Sequence, residues 1–166
     1  RDTAVTIAEH VRSTGVSAVQ VVQRVPMRVR RELRALVPGV AVVQVVHVGG
    51  RESVAEALEA AAESDYVLLD SGRPKAPVPE LGGTGRVHDW TVSAEIVARS
   101  PVPVFLAGGL RPGNVAEAVA AVRPFGVDVC SGLRDASGRL DAALLTSFME
   151  ALGDAGGEPP RGRNSA

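Results

Sequence analysis

Cysteine is almost missing from this sequence: one thiol, Cys130, occurs in 166 residues. That excludes an intrachain disulfide framework and any metal site built from several cysteines, and it suits a reducing compartment, so a cytoplasmic location is expected. Aromatic side chains are scarce as well, five in all. An excess of charge of one sign is lacking too: 18 basic against 19 acidic residues leave a formal net charge of -1. There is no electrostatic case for nucleic acid or an anionic membrane as the main partner. No apolar run approaches the roughly 18 to 20 residues of a membrane helix, and no signal-peptide pattern is present. His10 and His47 are isolated, without a second ligand at suitable spacing, so neither is read as a metal site.

What is there is alanine, valine, leucine and glycine, a profile that suits a soluble α/β protein whose core is built from small branched residues. Apolar periodicity alternates between two types along the chain. Ala4, Ile7, Ala8 and Val11 share one helical face, and Gly15 ends that helix. Residues 17–22 then read as a short strand. Pro26 opens a helix over 27–37 whose stripe is Val29, Leu33, Leu36 and Val37. Further strands are expected over 40–48, 66–70, 102–107 and 127–130, with helices over 52–63, 91–99, 112–122 and 141–152. Residues 1–153 thus form one domain, and 154–166 read as a disordered polar tail. The chain opens on Arg1 and runs almost directly into helix-like sequence, which leads us to expect further residues upstream. One helix followed by five βα units implies a parallel sheet with right-handed crossovers. A doubly wound sheet and a piece of a barrel both satisfy this pattern, although no Gly-rich dinucleotide fingerprint follows the first strand.

In parallel α/β folds, functional groups gather at the C-terminal ends of the strands. Asp70 closes the strand YVLLD, either as an acid of the site or as a residue ordering the following loop. Gly108 and Gly109 follow the strand VFLA, and Ser131 and Gly132 follow VDVC. Glycine-lined strand ends near helix N-termini let backbone N–H groups approach an anion, so these positions make a candidate phosphate cradle; simple turns explain each glycine equally well. The long loop from Ser71 to Asp89 holds the run LGGTG and reads as a lid or a flexible connection.

The runs LLDSG, LGGTGRVHDW, VFLAGGLRPGNVAEAV and FGVDVCSGLRDASGRLD, in this order and spacing over residues 65–152, resemble the phosphoribosylanthranilate isomerase family. Residues 1–64 match more loosely, through Val19-Gln20 and the helix, strand and helix that follow. The resemblance implies an incomplete (β/α)8 TIM barrel carrying the fourth to eighth strands. It also implies an intramolecular oxidoreductase of tryptophan biosynthesis, performing the Amadori rearrangement of N-(5-phosphoribosyl)anthranilate to 1-(2-carboxyphenylamino)-1-deoxyribulose 5-phosphate. The partner is then a small phosphosugar, and no cofactor is called for. By the same resemblance Asp70 is the general acid, with a carboxyl raised by burial under the loop. Gly83 belongs to the lid, and Gly108, Gly109, Ser131 and Gly132 line the phosphate site. Asp128 faces the sugar and aminobenzoate, or is a buried structural acid.

The departures from the family pattern are specific. The K-x-C-G strand bearing the family's general base does not occur in these residues, nor does the arginine that grips the aminobenzoate carboxylate. The chain alone is therefore expected to be inactive. Cys130 stands where the family has serine; it reads as a small buried residue, with a substitute base as the alternative. Gln23, Gln44 and Arg134 also depart from the pattern, and they motivate a second reading: a non-catalytic phosphosugar-binding relative. A barrel portion of a larger fused enzyme is a third. His88 is read as a lid or core residue.

Overall fold

The computed structural model describes residues 3–71 and 89–155. Six helices and five strands follow in order: α1 (Ala4–Thr14), β1 (Ala18–Val21), α2 (Met27–Leu36), β2 (Ala41–His47), α3 (Glu52–Ala61), β3 (Tyr66–Asp70), α4 (Trp90–Arg99), β4 (Val104–Leu106), α5 (Val115–Val122), β5 (Gly126–Val127) and α6 (Ala142–Ala155). The strands form one parallel sheet in the order β1-β2-β3-β4-β5. Each neighbour is thus the next strand in sequence. A doubly wound sheet reverses its strand order at a switch point; this one never does, and it is a partial (β/α) barrel.

Local chemistry explains where the elements begin and end. The Thr3 hydroxyl accepts from Thr6 N–H at the start of α1, and Gly15, at φ 66°, closes that helix by donating to the Val11 carbonyl. That left-handed conformation carries no penalty for glycine. Asp89 caps α4 by accepting from Thr91 N–H at 2.9 Å. Helix α5 starts three residues later than the sequence suggested, at Val115 rather than Pro112. The reason is Asn114, whose side chain holds the preceding turn instead of letting it wind into helix. Strand β5 likewise stops at Val127, and Ser131–Leu133 form a 3-10 turn that periodicity did not reveal.

Successive residues of a strand point to opposite faces, and register neighbours share a face. Val46, Val67, Leu69, Val104 and Leu106 therefore face the helices, where they pack with Val54, Ala57, Ile96, Val115 and Ala118 in the main core. Val45, Leu68 and Ala107 lie on the other face in a separate, smaller cluster, with Val43 and Phe105 packed against it. Small side chains on α3 and α5 let these helices sit close to the sheet, which accounts for the alanine content. Gln44 belongs to the helix-facing set and is buried; its amide donates to the Val21 and Gln23 carbonyls at 2.9 and 3.1 Å. It lies in the middle of β2, away from the C-terminal strand ends. Among the described residues, no helix is long and apolar enough to cross a membrane.

Candidate functional site

On the face turned away from the helices, the C-terminal ends of the strands bring titratable groups to one level. Register pairing places His47 of β2 opposite Asp70 of β3. Leu69 is paired with Leu106 and Leu106 with Val127, so Asp70, Ala107 and Asp128 are the next residues outward on their strands. The Asp128 N–H extends the ladder by donating to the Leu106 carbonyl at 2.9 Å. Asp70 is only 9% exposed, and its Oδ1 accepts from the Ser71 N–H at 2.7 Å. Asp128 is accessible as a residue, yet its carboxyl is held above the usual aspartate range. Partial removal from water is the main cause and the like charge of Asp70 the second, opposed by a hydrogen bond from Val129 N–H. Two carboxyls close enough to feel one another, on a strand-end rim, are a recurrent arrangement for proton transfer.

Beside them lies a cleft of about 60 Å³ lined by Asp70, Gly108, Gly109, Leu110, Asp128, Cys130 and Ser131. Its floor needs glycine. Gly108 sits at φ 86°, and a Cβ there would meet Ser71 N and Oγ at 2.6 Å. A Cβ on Gly132 would collide with the Leu110 carbonyl. The main-chain N–H groups of Gly108, Gly109, Leu110, Ser131 and Gly132 have no acceptor among the described residues. Unpaired N–H donors at two neighbouring strand ends are what a bound anion requires. Wider grooves exist, one of about 720 Å³ along the starts of α1 and α2 and one of about 320 Å³ around Arg34 and Tyr66. Neither contains the rim carboxyls or the glycine turns.

The structure thus brings together Asp70, Asp128, Gly108, Gly109 and Ser131, with Gly132 packed directly behind them against Leu110. Gly83, His88 and the polar tail beyond residue 155 lie outside the described residues. Cys130 departs from expectation: it is exposed rather than buried, and its sulfur accepts from Arg134 Nε at 3.4 Å. Asp128 is not a buried structural acid. Two participants escaped the sequence reading. Asn114, 8% exposed, accepts from Arg111 N–H at 2.8 Å and donates to the Gly109 carbonyl at 3.0 Å, fixing the glycine turn. The signal was the asparagine three residues after Arg111, at the mouth of a helix, where side-chain to backbone bonding is common. The other is His47, isolated in sequence but one strand away from Asp70 in space.

Comparison with known proteins agrees with this fold. The model of the family "N-(5'phosphoribosyl)anthranilate (PRA) isomerase" matches residues 4–151. The N-(5'-phosphoribosyl)anthranilate isomerase of Methanocella arvoryzae is 38% identical over 144 residues, covering 87% of this chain and 65% of that protein. The chain therefore spans about two thirds of the length of such relatives. The phosphoribosyl anthranilate isomerase of Thermotoga maritima superposes with a TM-score of 0.75 at 27% identity, over 93% of this chain and 70% of its own. A further isomerase structure, in complex with reduced 1-(o-carboxyphenylamino)-1-deoxyribulose 5-phosphate, shares the fold with a TM-score of 0.72 at 24% identity, over 93% and 68%. The chain belongs to the phosphoribosylanthranilate isomerase family.

Proposed function

We propose that this chain carries the acid-bearing and phosphate-binding side of a phosphoribosylanthranilate isomerase site. The whole protein then converts N-(5-phosphoribosyl)anthranilate into 1-(2-carboxyphenylamino)-1-deoxyribulose 5-phosphate, a step of tryptophan biosynthesis in the cytoplasm. The observation that carries this reading is the placement of Asp70 next to a glycine-lined cleft with unpaired backbone donors. The substrate's phosphate is an anion of the right kind for those donors, held by the turns at Gly108, Gly109, Ser131 and Gly132. Its sugar then lies over Asp70 and Asp128.

In this arrangement Asp70, as the carboxylic acid, gives its proton to the furanose ring oxygen. The ring C1–O bond breaks while the nitrogen lone pair forms the C1=N bond of a protonated Schiff base. A base then removes the C2 proton, the electrons return to nitrogen through an enolamine, and tautomerisation delivers the C2 ketone. In this reading Asp128, whose carboxyl is raised by burial and by Asp70, faces the sugar and aminobenzoate. The reading names no cofactor, nucleic acid or membrane as a partner.

The second reading, a phosphosugar binder without catalysis, rested partly on Gln44. That residue is buried on the helix-facing side of β2 and does not line the cleft. The test is loss of aminobenzoate fluorescence on conversion of phosphoribosylanthranilate. The chain alone is expected to show little or no turnover. Joined to the part of the Methanocella arvoryzae relative that this chain does not match it is expected to turn over, and Asp70→Asn should lower that rate by about a hundredfold or more. A joined enzyme indifferent to Asp70→Asn contradicts the assignment. Phosphosugar binding without turnover in the joined protein establishes the binder.

A further inference from the structure

On β2 the rim holds a titratable side chain that the proposed chemistry does not use. His47 ends β2 on the same face as Asp70 and is its register partner, one strand away. Neighbouring strands lie about 4.8 Å apart, so the imidazole stands at the edge of the site on the side away from the phosphate cradle. Both ring nitrogens are buried and neither has a hydrogen-bond partner among the described residues. A neutral imidazole has one donor and one acceptor nitrogen, and buried polar atoms in proteins are nearly always paired. An imidazole with both nitrogens unpaired beside a buried carboxyl calls for a partner that arrives with the ligand.

Position says which part of the ligand that is. Across the sheet the order at this level is His47, Asp70, then the Gly108–Gly109 turn, then Asp128 and Ser131. A phosphosugar anchored by its phosphate between β4 and β5, with its ring over Asp70, reaches β2 only with the end that carries the arylamine. We propose that His47 is a substrate-binding residue of this site, its imidazole hydrogen-bonding the phosphosugar at the end remote from the phosphate. This rests on the proposed function. Charged groups on the neighbouring segments serve elsewhere: Arg24, three residues after β1, is paired with Glu59 of α3 at 2.8 Å, and Glu52 packs against the Gly49–Gly50 turn.

Calorimetric titration of the 166-residue chain with inorganic phosphate and with reduced 1-(o-carboxyphenylamino)-1-deoxyribulose 5-phosphate separates the two claims. His47→Ala is expected to weaken binding of the reduced analogue about tenfold, or ~1.4 kcal/mol, and to leave phosphate affinity unchanged. His47→Gln, which retains a donor, should recover part of the loss. In the unaltered chain, imidazole NMR signals of His47 should shift on adding the analogue and stay in place on adding phosphate. That measurement does not depend on a variant folding. Analogue affinity indifferent to His47→Ala, with phosphate still bound and the imidazole signals unmoved, overturns the assignment alone. Failure of the unaltered chain to bind either ligand overturns the proposed function and the His47 assignment with it.

Discussion

The two faces of the sheet are built from the same kinds of residue and do different work. On the helix side, Val46, Val67, Leu69, Val104 and Leu106 are at most 3% exposed, and every one packs into a single large cluster. On the other side the apolar residues form only a small cluster around Val45, Leu68 and Ala107. Its N-terminal rim carries an aromatic group, Tyr66, Phe105 and Phe125, with ring centroids 5.4 to 6.1 Å apart and Phe125 60% exposed. Its C-terminal rim carries His47, Asp70 and Asp128. Stability is concentrated on one face, which leaves the opposite face free to hold groups that fold poorly but react well: carboxyls, an imidazole without a partner among the described residues, and glycine turns in left-handed conformations.

This contrast is broken most directly by truncating a side chain on each face. Leu106→Ala, in the helix-side core, should cost about 3 kcal/mol, within the ~2–5 kcal/mol range for buried leucine. Leu68→Ala, on the smaller cluster, should cost about 1 kcal/mol less, because its surroundings are less fully packed. Denaturant unfolding of both variants checks the order, and equal losses would remove the asymmetry. A smaller effect is expected from Gly132→Ala, which drives a Cβ into the Leu110 carbonyl. A stability loss of about 1–3 kcal/mol is expected, accompanied by loss of phosphate binding in calorimetry.

The smallest effect has the opposite sign. Because the Asp128 carboxyl is raised in the folded chain above its ordinary value of 3.8, the native state binds more protons than the unfolded state just above that pH. Stability therefore falls as pH rises through this window, and the deficit persists at neutral pH. Asp128→Asn should stabilise the chain by less than about 1 kcal/mol at pH 7, given how much water reaches the group. The gain should vanish once the pH drops below 3.8. Thermal unfolding at two pH values reads both halves of this statement.

Most of the fold was legible in the sequence because its two periodicities are clean. The Ala4, Ala8 and Val11 stripe and the apolar runs of β2 and β3 each left only one way to bury themselves. The ends of α5 and β5 were not legible, because they are decided by Asn114 and by the turn at Ser131–Leu133, where side-chain to backbone bonds override apolar pattern. In the site, Asp70 and the glycines could be picked out because each follows a strand directly. His47 could not, because its importance comes from strand register with Asp70, a relation that exists only once the sheet forms.

The central claim is that the β3–β5 rim is a phosphosugar site, and the most direct measurement is amide NMR of the chain during titration with reduced 1-(o-carboxyphenylamino)-1-deoxyribulose 5-phosphate. The account predicts that the largest shifts fall on Gly108, Gly109, Leu110, Ser131 and Gly132, whose N–H groups have no acceptor among the described residues. Saturable shifts centred on another part of the fold, or no shifts at all, would contradict it.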